Sequence, residues 1–272
     1  MSDRPGARGA EDPRASAPLL FITGASSGIG QAMALEWARR GGRLALVARR
    51  EAEMRAWCAA EGLGPERAQV YAADVRDVPA MTAAGRACIA AQGLPDVVIA
   101  NAGISVGVDT AIESELDVIR ATLETNNLGM AATFQPFVEP MRVRRRGTLV
   151  GIASVASVRG LPGHAAYCLS KAGVVAYCES LRGECRPSGV RVVTIVPGYI
   201  DTPLTQGNPY RMPFLAAPEF AARKMAGAIS RRQRFYVVPW QMGWLGIAMK
   251  LAPRPLYDRV VANRGRKPRR SD

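Results

Sequence analysis

Leu19-Leu20-Phe21-Ile22-Thr23-Gly24-Ala25-Ser26-Ser27-Gly28-Ile29-Gly30 decides the fold. A β-prone run ends at Thr23, three glycines follow within seven residues, and an amphipathic helical pattern begins at Gly28. Glycines at 24, 28 and 30 permit a tight turn, close approach of the backbone to a pyrophosphate, and close packing of the helix. A helix N-terminus then offers free N–H groups and positive dipole to phosphate, with Ser26, Ser27 and Ile29 in the same turn. Glycines also serve ordinary turns. Placement between a first strand and a first helix favours a dinucleotide site.

From this turn outward, short apolar runs alternate with helix-length segments. Strands are expected at Leu19–Thr23, Arg43–Ala48, Gln69–Ala73, Asp96–Ala100, Thr148–Ala153, Val190–Val196 and Phe235–Val238. Most are continuously apolar, as parallel strands covered on both faces should be. Helices are expected notably at Gly28–Arg40, Val78–Gln92, Ser114–Met141 and Ala165–Arg186. The alternation predicts an α/β protein: a single domain with a doubly wound, mostly parallel seven-stranded sheet and helices on both faces. Ligands of such sheets sit at the carboxyl ends of the strands, where the strand order reverses. Residues 1–17 have the composition of a disordered arm, residues 18–263 form the domain, and 264–272 make a basic tail.

The second strand ends in Ala48-Arg49-Arg50. A free ribose 2′-hydroxyl usually meets an acid at this place, whereas a 2′-phosphate needs cations that can grip it bidentately. NADPH therefore fits better than NADH, with Arg49 the stronger contact and Arg50 open to a plain role at the start of a solvated helix.

Tyr167 and Lys171 stand one helical turn apart, with Ser154 thirteen residues upstream at the end of an apolar run. A Lys charge about 4 Å from a phenol, at an effective dielectric near 20, favours the phenolate by about 4 kcal/mol. That is about three pKa units, which would bring Tyr167 near the operating pH of an acid or base. Such a pair also arises by chance in any helix, so the rest of the chain decides.

These residues together resemble the short-chain dehydrogenase/reductase family, over roughly Leu19 to Phe220. The resemblance rests on the T-G-x-x-x-G-x-G turn, on Asp74-Val75 after the third strand, and on Asn101-Ala102-Gly103 after the fourth. It rests also on Asn126 three before Gly129, on Ser154, Tyr167 and Lys171, and on Pro197-Gly198-Tyr199-Ile200-Asp201-Thr202. It implies a Rossmann fold and hydride transfer between a nicotinamide and a carbonyl or alcohol carbon. Tyr167 would donate the proton, Lys171 would lower the Tyr pKa and hold the nicotinamide ribose, and Ser154 would bind the substrate oxygen. Asn126 would position a proton-relaying water. Asp74 and Val75 would hold the adenine, and Pro197, Gly198, Ile200 and Thr202 would pack around the nicotinamide, with Asn101, Ala102 and Gly103 also on the cofactor. Ser157 and Asn127 are the competing positions, each off the family spacing. A homodimer or homotetramer is implied as well. Ala100 departs from the usual Asn-Asn-Ala-Gly, and the chain runs on well past its last strand, unlike many acyl-carrier-protein ketoreductases.

The segment 199–220 should be the substrate lid. Its Leu204, Tyr210, Met212, Phe214 and Leu215 suit a lipophilic ketone, or simply pack the lid down. The extension 235–263 carries Trp240, Trp244, Leu245, Ile247, Met249 and Leu251 on a short helix. It fits a cover for a sheet edge or a dimer interface better than peripheral membrane contact through 240–272. The net charge is +13, concentrated partly at Arg142, Arg144, Arg145, Arg146 and in the tail. The tail reads as a solvated end rather than a nucleic-acid contact, since no nucleic-acid-binding signature accompanies it. Five cysteines without C-x-x-C spacing and one His, His164, exclude a metal cluster and suggest a reducing, cytoplasmic setting. The expected function is NADPH-dependent reduction of a carbonyl. The alternatives are an NADP-linked alcohol or sugar dehydrogenase working oxidatively, and a non-catalytic NADPH-binding regulator.

Overall fold

The seven apolar runs form seven parallel strands: β1 Leu19–Thr23, β2 Arg43–Ala48, β3 Ala68–Ala72, β4 Val97–Ala100, β5 Thr148–Ile152, β6 Arg191–Pro197 and β7 Phe235–Val238. They are seen in a computed structural model that describes residues 17–262 and 265–269. The expectations for an arm at 1–16 and for tail residues 264 and 270–272 fall outside the described residues. The strand order is β3-β2-β1-β4-β5-β6-β7, so the order reverses between β1 and β4. Four strands begin or end one residue from the expected bounds. At β4 the cause is visible: Asp96 turns its carboxylate back to accept the Leu19 N–H at 3.0 Å.

Successive strand residues face opposite layers. Leu20, Ile22, Leu44, Leu46, Ile99 and Ile195 pack beneath α1 (Gly28–Arg39), α2 (Glu51–Ala60) and α7 (Pro218–Ser230), whose Met33, Met54 and Met225 complete that layer. Leu19, Phe21, Val47, Val98, Leu149 and Val192 face α3 (Val78–Gln92), α5 (Gly129–Arg144) and α6 (Ala165–Cys185). There Phe21 and Phe137 meet with ring centroids 4.7 Å apart.

The single helix expected over Ser114–Met141 is instead two. α4 (Leu116–Leu123) and α5 are joined by a π turn, Glu124–Leu128. No proline or glycine lies within that turn; what holds it is the side chain of Asn126. Its Oδ1 accepts the Ile104 N–H at 2.8 Å, and its Nδ2 donates to the Ile104 carbonyl at 3.0 Å and to Ser170 Oγ at 2.9 Å. π turns of this kind mark functional places more often than ordinary ones.

Gly151 matters for position. A Cβ there would lie 2.4 Å from Cys178 Sγ, so its absence lets α6 lie close against β5. The Arg142–Arg146 cluster is absorbed by the fold. Arg144 donates to the carbonyls of Leu94 (2.7 Å) and Pro95 (2.5 Å), Arg142 to Glu184 O, and Arg146 pairs with Asp96 at 3.7 Å. After β7 come α8 (Gln241–Leu251) and α9 (Arg254–Ala262). Arg159 donates to the Met249 and Ala252 carbonyls at the end of α8 and lies 3.9 Å from the Tyr257 ring centre. The extension is thereby fixed to the body, with Trp240, Trp244, Ile247 and Leu251 left outward. No helix among the described residues is long and apolar enough to cross a membrane.

Candidate active site

A cavity of about 630 Å³ opens at the carboxyl ends of the strands, where the order reverses. Its floor is the Gly-rich turn. Gly24 and Gly28 have φ of +67° and +56°, the left-handed region that favours glycine. A Cβ on Gly30 would sit 2.1 Å from the Gly24 carbonyl oxygen and 2.5 Å from Asn101 Nδ2. Asn101 is occupied in bracing the turn: its Nδ2 donates to the carbonyls of Thr23 (3.0 Å) and Gly24 (3.1 Å). Thr23 Oγ1 accepts the N–H groups of Asn101 and Ala102 in return. Gly24, Ser26, Ser27, Gly28 and Ile29 line the cavity, and Gly30 lies behind it. A backbone cradle at a helix N-terminus fits the diphosphate of a nicotinamide dinucleotide.

At the far end of the floor stand Arg49, Arg50, Asp74 and Val75. Arg76, missed in the sequence, joins them. It grips Asp74 with contacts of 2.7 and 3.2 Å, and Arg49 lies 4.0 Å away on the other side. The Arg76 hydrogen bond is the main cause that holds the Asp74 carboxyl below its ordinary pKa. Arg50 turns to Glu53 at 3.0 Å, as the start of a solvated helix would. The signal for Arg76 was its place two residues after the acid that follows β3. Gly129 belongs to this end as well, since a Cβ there would meet Val75 at 2.9 Å.

At the other end α6 presents Tyr167 and Lys171 on one face, beside Ser154, which follows β5. Ser154 stands close enough to the Tyr167 hydroxyl to favour its ionised form, against the larger effect of burial. Lys171 Nζ donates to the Ile152 carbonyl at 2.8 Å and lies 5.7 Å from the centre of the Tyr167 ring. Burial, opposed by Ser154, pushes the Tyr167 pKa up to about 12. The lowering expected from Lys171 is thus reversed. Desolvation of the phenol dominates, and the ammonium, itself brought down to about 8 by burial, is aimed at a backbone carbonyl. Asn126 lies behind the loop after β4: a Cβ on Gly103 would be 3.2 Å from its Oδ1 and 3.5 Å from Lys171 Nζ. The Asn126 side chain holds the loop after β4: its Oδ1 accepts from Ile104 and its Nδ2 donates to Ile104 O and Ser170 Oγ. Asn127 turns to the Ser170 carbonyl instead, and Ser157 caps back to Ser154 O.

Ala102, Gly103, Pro197, Gly198, Ile200 and Thr202 line the wall between the two ends. Thr202 packs on Gly28, 3.1 Å from the place of a Cβ, and Ile200 is bridged to Ala216 at the base of the lid. Of the apolar side chains in 199–220, Leu204 and Tyr210 line the cavity, while Phe214 and Leu215 are half-exposed to solvent away from it. The inner side of α8 supplies Met242, Leu245 and Met249 to the cavity wall. His164 Nδ1 donates to the Pro162 carbonyl, which leaves Nε2 to accept from the Tyr210 hydroxyl at 3.0 Å.

The described part of the basic tail is anchored to the body, although Gly265, Arg266 and Pro268 stay exposed as a solvated end would. Residues 265–269 run past Gly107, Gly163 and Tyr210 at the end of the cavity away from the arginines. The Gly107 N–H donates to the Pro268 carbonyl, Arg266 pairs with Asp109 at 3.8 Å, and Arg269 pairs with Glu115 at 3.4 Å. Lys267 lines the cavity, and burial lowers its pKa to about 8.

A profile of the short chain dehydrogenase family matches residues 19–211. The chain is 39% identical over 241 residues to an uncharacterized oxidoreductase of Myxococcus xanthus, covering 88% of this chain and 94% of that one. It is 28% identical over 270 residues to dehydrogenase/reductase SDR family member 7B of Bos taurus, covering 93% and 83%. Among solved structures, a short chain dehydrogenase from Burkholderia cenocepacia in complex with NADP superposes with a TM-score of 0.76 at 22% identity, over 90% of this chain and 98% of that one. A short chain dehydrogenase/reductase from Burkholderia phymatum in complex with NAD gives 0.77 at 22% identity, over 86% and 92%. Fold, turn and matched profile agree: the chain belongs to the short chain dehydrogenase family.

Proposed function

We propose that this oxidoreductase is an NADPH-dependent reductase of ketones, with Tyr167 as proton donor and Ser154 and Lys171 as its partners. The observation that carries the reading is one shared cavity, lined by Ser154, Tyr167 and Lys171 at one end and by a backbone cradle for diphosphate along its floor. When bound, the nicotinamide supplies the hydride that reaches the carbonyl carbon. The developing alkoxide oxygen is a stronger base than a phenolate, so a phenol held protonated by burial can give it a proton. A Tyr pKa of about 12 suits the reductive direction at neutral pH. Ser154 donates to the same oxygen, and such fixed donors are the largest source of stabilisation in reactions of this type. Asn126 acts as a positioning residue that holds the Gly103–Ile104 loop against Lys171. The decisive test is NADPH oxidation over a panel of ketones graded by chain length and polarity. Reduction of at least one apolar ketone supports the reading, and no turnover across the panel would return the chain to a non-catalytic NADPH-binding role.

Cofactor choice rests on Arg49 and Arg76, the cations that flank Asp74 where a 2′-phosphate would sit. Arg49→Asp should lower the NADPH-over-NADH preference, measured as a ratio of kcat/KM values, by about 10–100-fold, the loss of one charge-assisted contact plus a like-charge repulsion. An unchanged ratio would place the phosphate elsewhere.

The pH profile follows from the two shifted groups. Reduction needs Tyr167 protonated, which holds to about 12, and Lys171 charged, which holds only to about 8. A lysine with a lowered pKa is charged below that value and neutral above it. With an uncharged ketone, kcat/KM for NADPH, which reports the free enzyme, should therefore be flat below pH 8 and fall through it. A falling limb centred above pH 10, the ordinary lysine range, would remove Lys171 from the profile.

A further inference from the structure

Lys267 is the unexplained group of this cavity. Its backbone is carried by the strap of residues 265–269, which is fixed on both sides of the substrate end. The Gly107 N–H bonds the Pro268 carbonyl at 2.9 Å, and a Cβ on Gly163 would meet Arg266 Cβ at 2.9 Å. On the lid side, a Cβ on Gly265 would sit 3.2 Å from Tyr210 Cβ. From this bridge the Lys267 side chain crosses to the lid, where Nζ donates to the Leu204 carbonyl at 2.8 Å. The acids nearest along the strap are taken: Asp109 pairs with Arg266 and Glu115 with Arg269, and the Glu115 carboxylate also accepts the Asp109 N–H. No carboxylate among the described residues pairs with Lys267. A part-buried ammonium at the cavity wall, next to Leu204 and with one neutral acceptor for its three N–H groups, has room for an anion.

We propose that Lys267 is a specificity-determining residue that takes the carboxylate of an oxo-acid substrate, whose apolar body lies against Leu204, Leu245 and Met249. This deepens the carbonyl-reductase reading and rests on it. A carboxylate is favoured over a phosphate because a single cation neutralises one charge. A phosphate dianion would leave a second charge uncompensated inside the cavity. Strap and lid then meet through the lysine, so the substrate's acid group would be enclosed under the same element that recognises it.

The test is calorimetric binding to the NADP⁺-loaded protein of 5-oxodecanoate, 7-oxodecanoate and 9-oxodecanoate beside their methyl esters, paired with NADPH-oxidation assays. At least one acid should bind about tenfold or more tightly than its ester. That preference should vanish in Lys267→Met and persist in Lys267→Arg, which keeps the charge. Three results would overturn the proposal: no acid preferred at any spacing, a preference surviving Lys267→Met, or equal weakening of acid and ester in that variant. The last would make Lys267 a mechanical latch between strap and lid. A Lys267-dependent acid preference without turnover would sink the reductase reading and leave Lys267 as the carboxylate site for a bound ligand rather than a substrate. Turnover of ketones without acid preference would do the reverse.

Discussion

Replacing Tyr167 by Phe is expected to lower kcat for ketone reduction by about 10³–10⁴-fold, the range of a general acid's contribution with its contact to Ser154 also lost. The substitution removes one oxygen and keeps the ring, so α6 and its seat on β5 should be unchanged. The contact of the hydroxyl with Ser154 goes with it, whereas the raised phenol pKa carries no stability at neutral pH, where Tyr167 is protonated in the folded and the unfolded chain alike. One contact is lost and the ring stays packed, so the melting temperature should move little. NADPH affinity, read by fluorescence titration, should stay nearly intact, because cradle and arginines are untouched. A variant that retained a tenth or more of wild-type turnover would assign the proton to another donor. Ser154→Ala should fall less, by about 10²–10³-fold, since it removes an oxyanion donor and leaves the proton source in place.

Much of this arrangement was legible as hydrophobic pattern. β1, β2, β7 and α3 start and end where the apolar runs and the glycines place them, because each depends on local composition and on burial across both sheet faces. Three features were not legible, and each depends on partners distant in sequence. The π turn at Glu124–Leu128 is imposed by bonds from Asn126 to Ile104 and to Ser170, 44 residues away. The strap looks like a charged, solvated end until Asp109, Glu115 and Gly107 are brought beneath it; Arg269 and Glu115 are 154 residues apart. The Tyr167 pKa failed for the same reason. Spacing gave the Lys charge correctly, but desolvation is a property of the closed site, and it outweighs an ammonium 5.7 Å from the ring. Helix spacing alone carries the neighbour and not the burial.

Gly30→Ala should cost NADPH affinity about 10–100-fold while the protein remains folded by circular dichroism. The added methyl would lie 2.1 Å from the Gly24 carbonyl oxygen and 2.5 Å from Asn101 Nδ2. Neither neighbour is the loose end of a side chain. Gly24 O is backbone, and Asn101 Nδ2 is pinned to the carbonyls of Thr23 and Gly24. Relief therefore requires the turn to move away from α1, and the N–H groups meant for diphosphate move with it. Overpacking of this kind costs about 1–3 kcal/mol, and one to two decades of affinity correspond to about 1.4–2.8 kcal/mol. Gly183→Ala is the matched control. It lies exposed within α6, a Cβ there meets nothing within 4 Å, and a helical Gly→Ala change should add about 0.5–1 kcal/mol of stability without touching affinity. If Gly30→Ala bound NADPH as well as Gly183→Ala did, the three-glycine turn would be a packing device alone, and the dinucleotide would have to be held from the arginine end of the cavity.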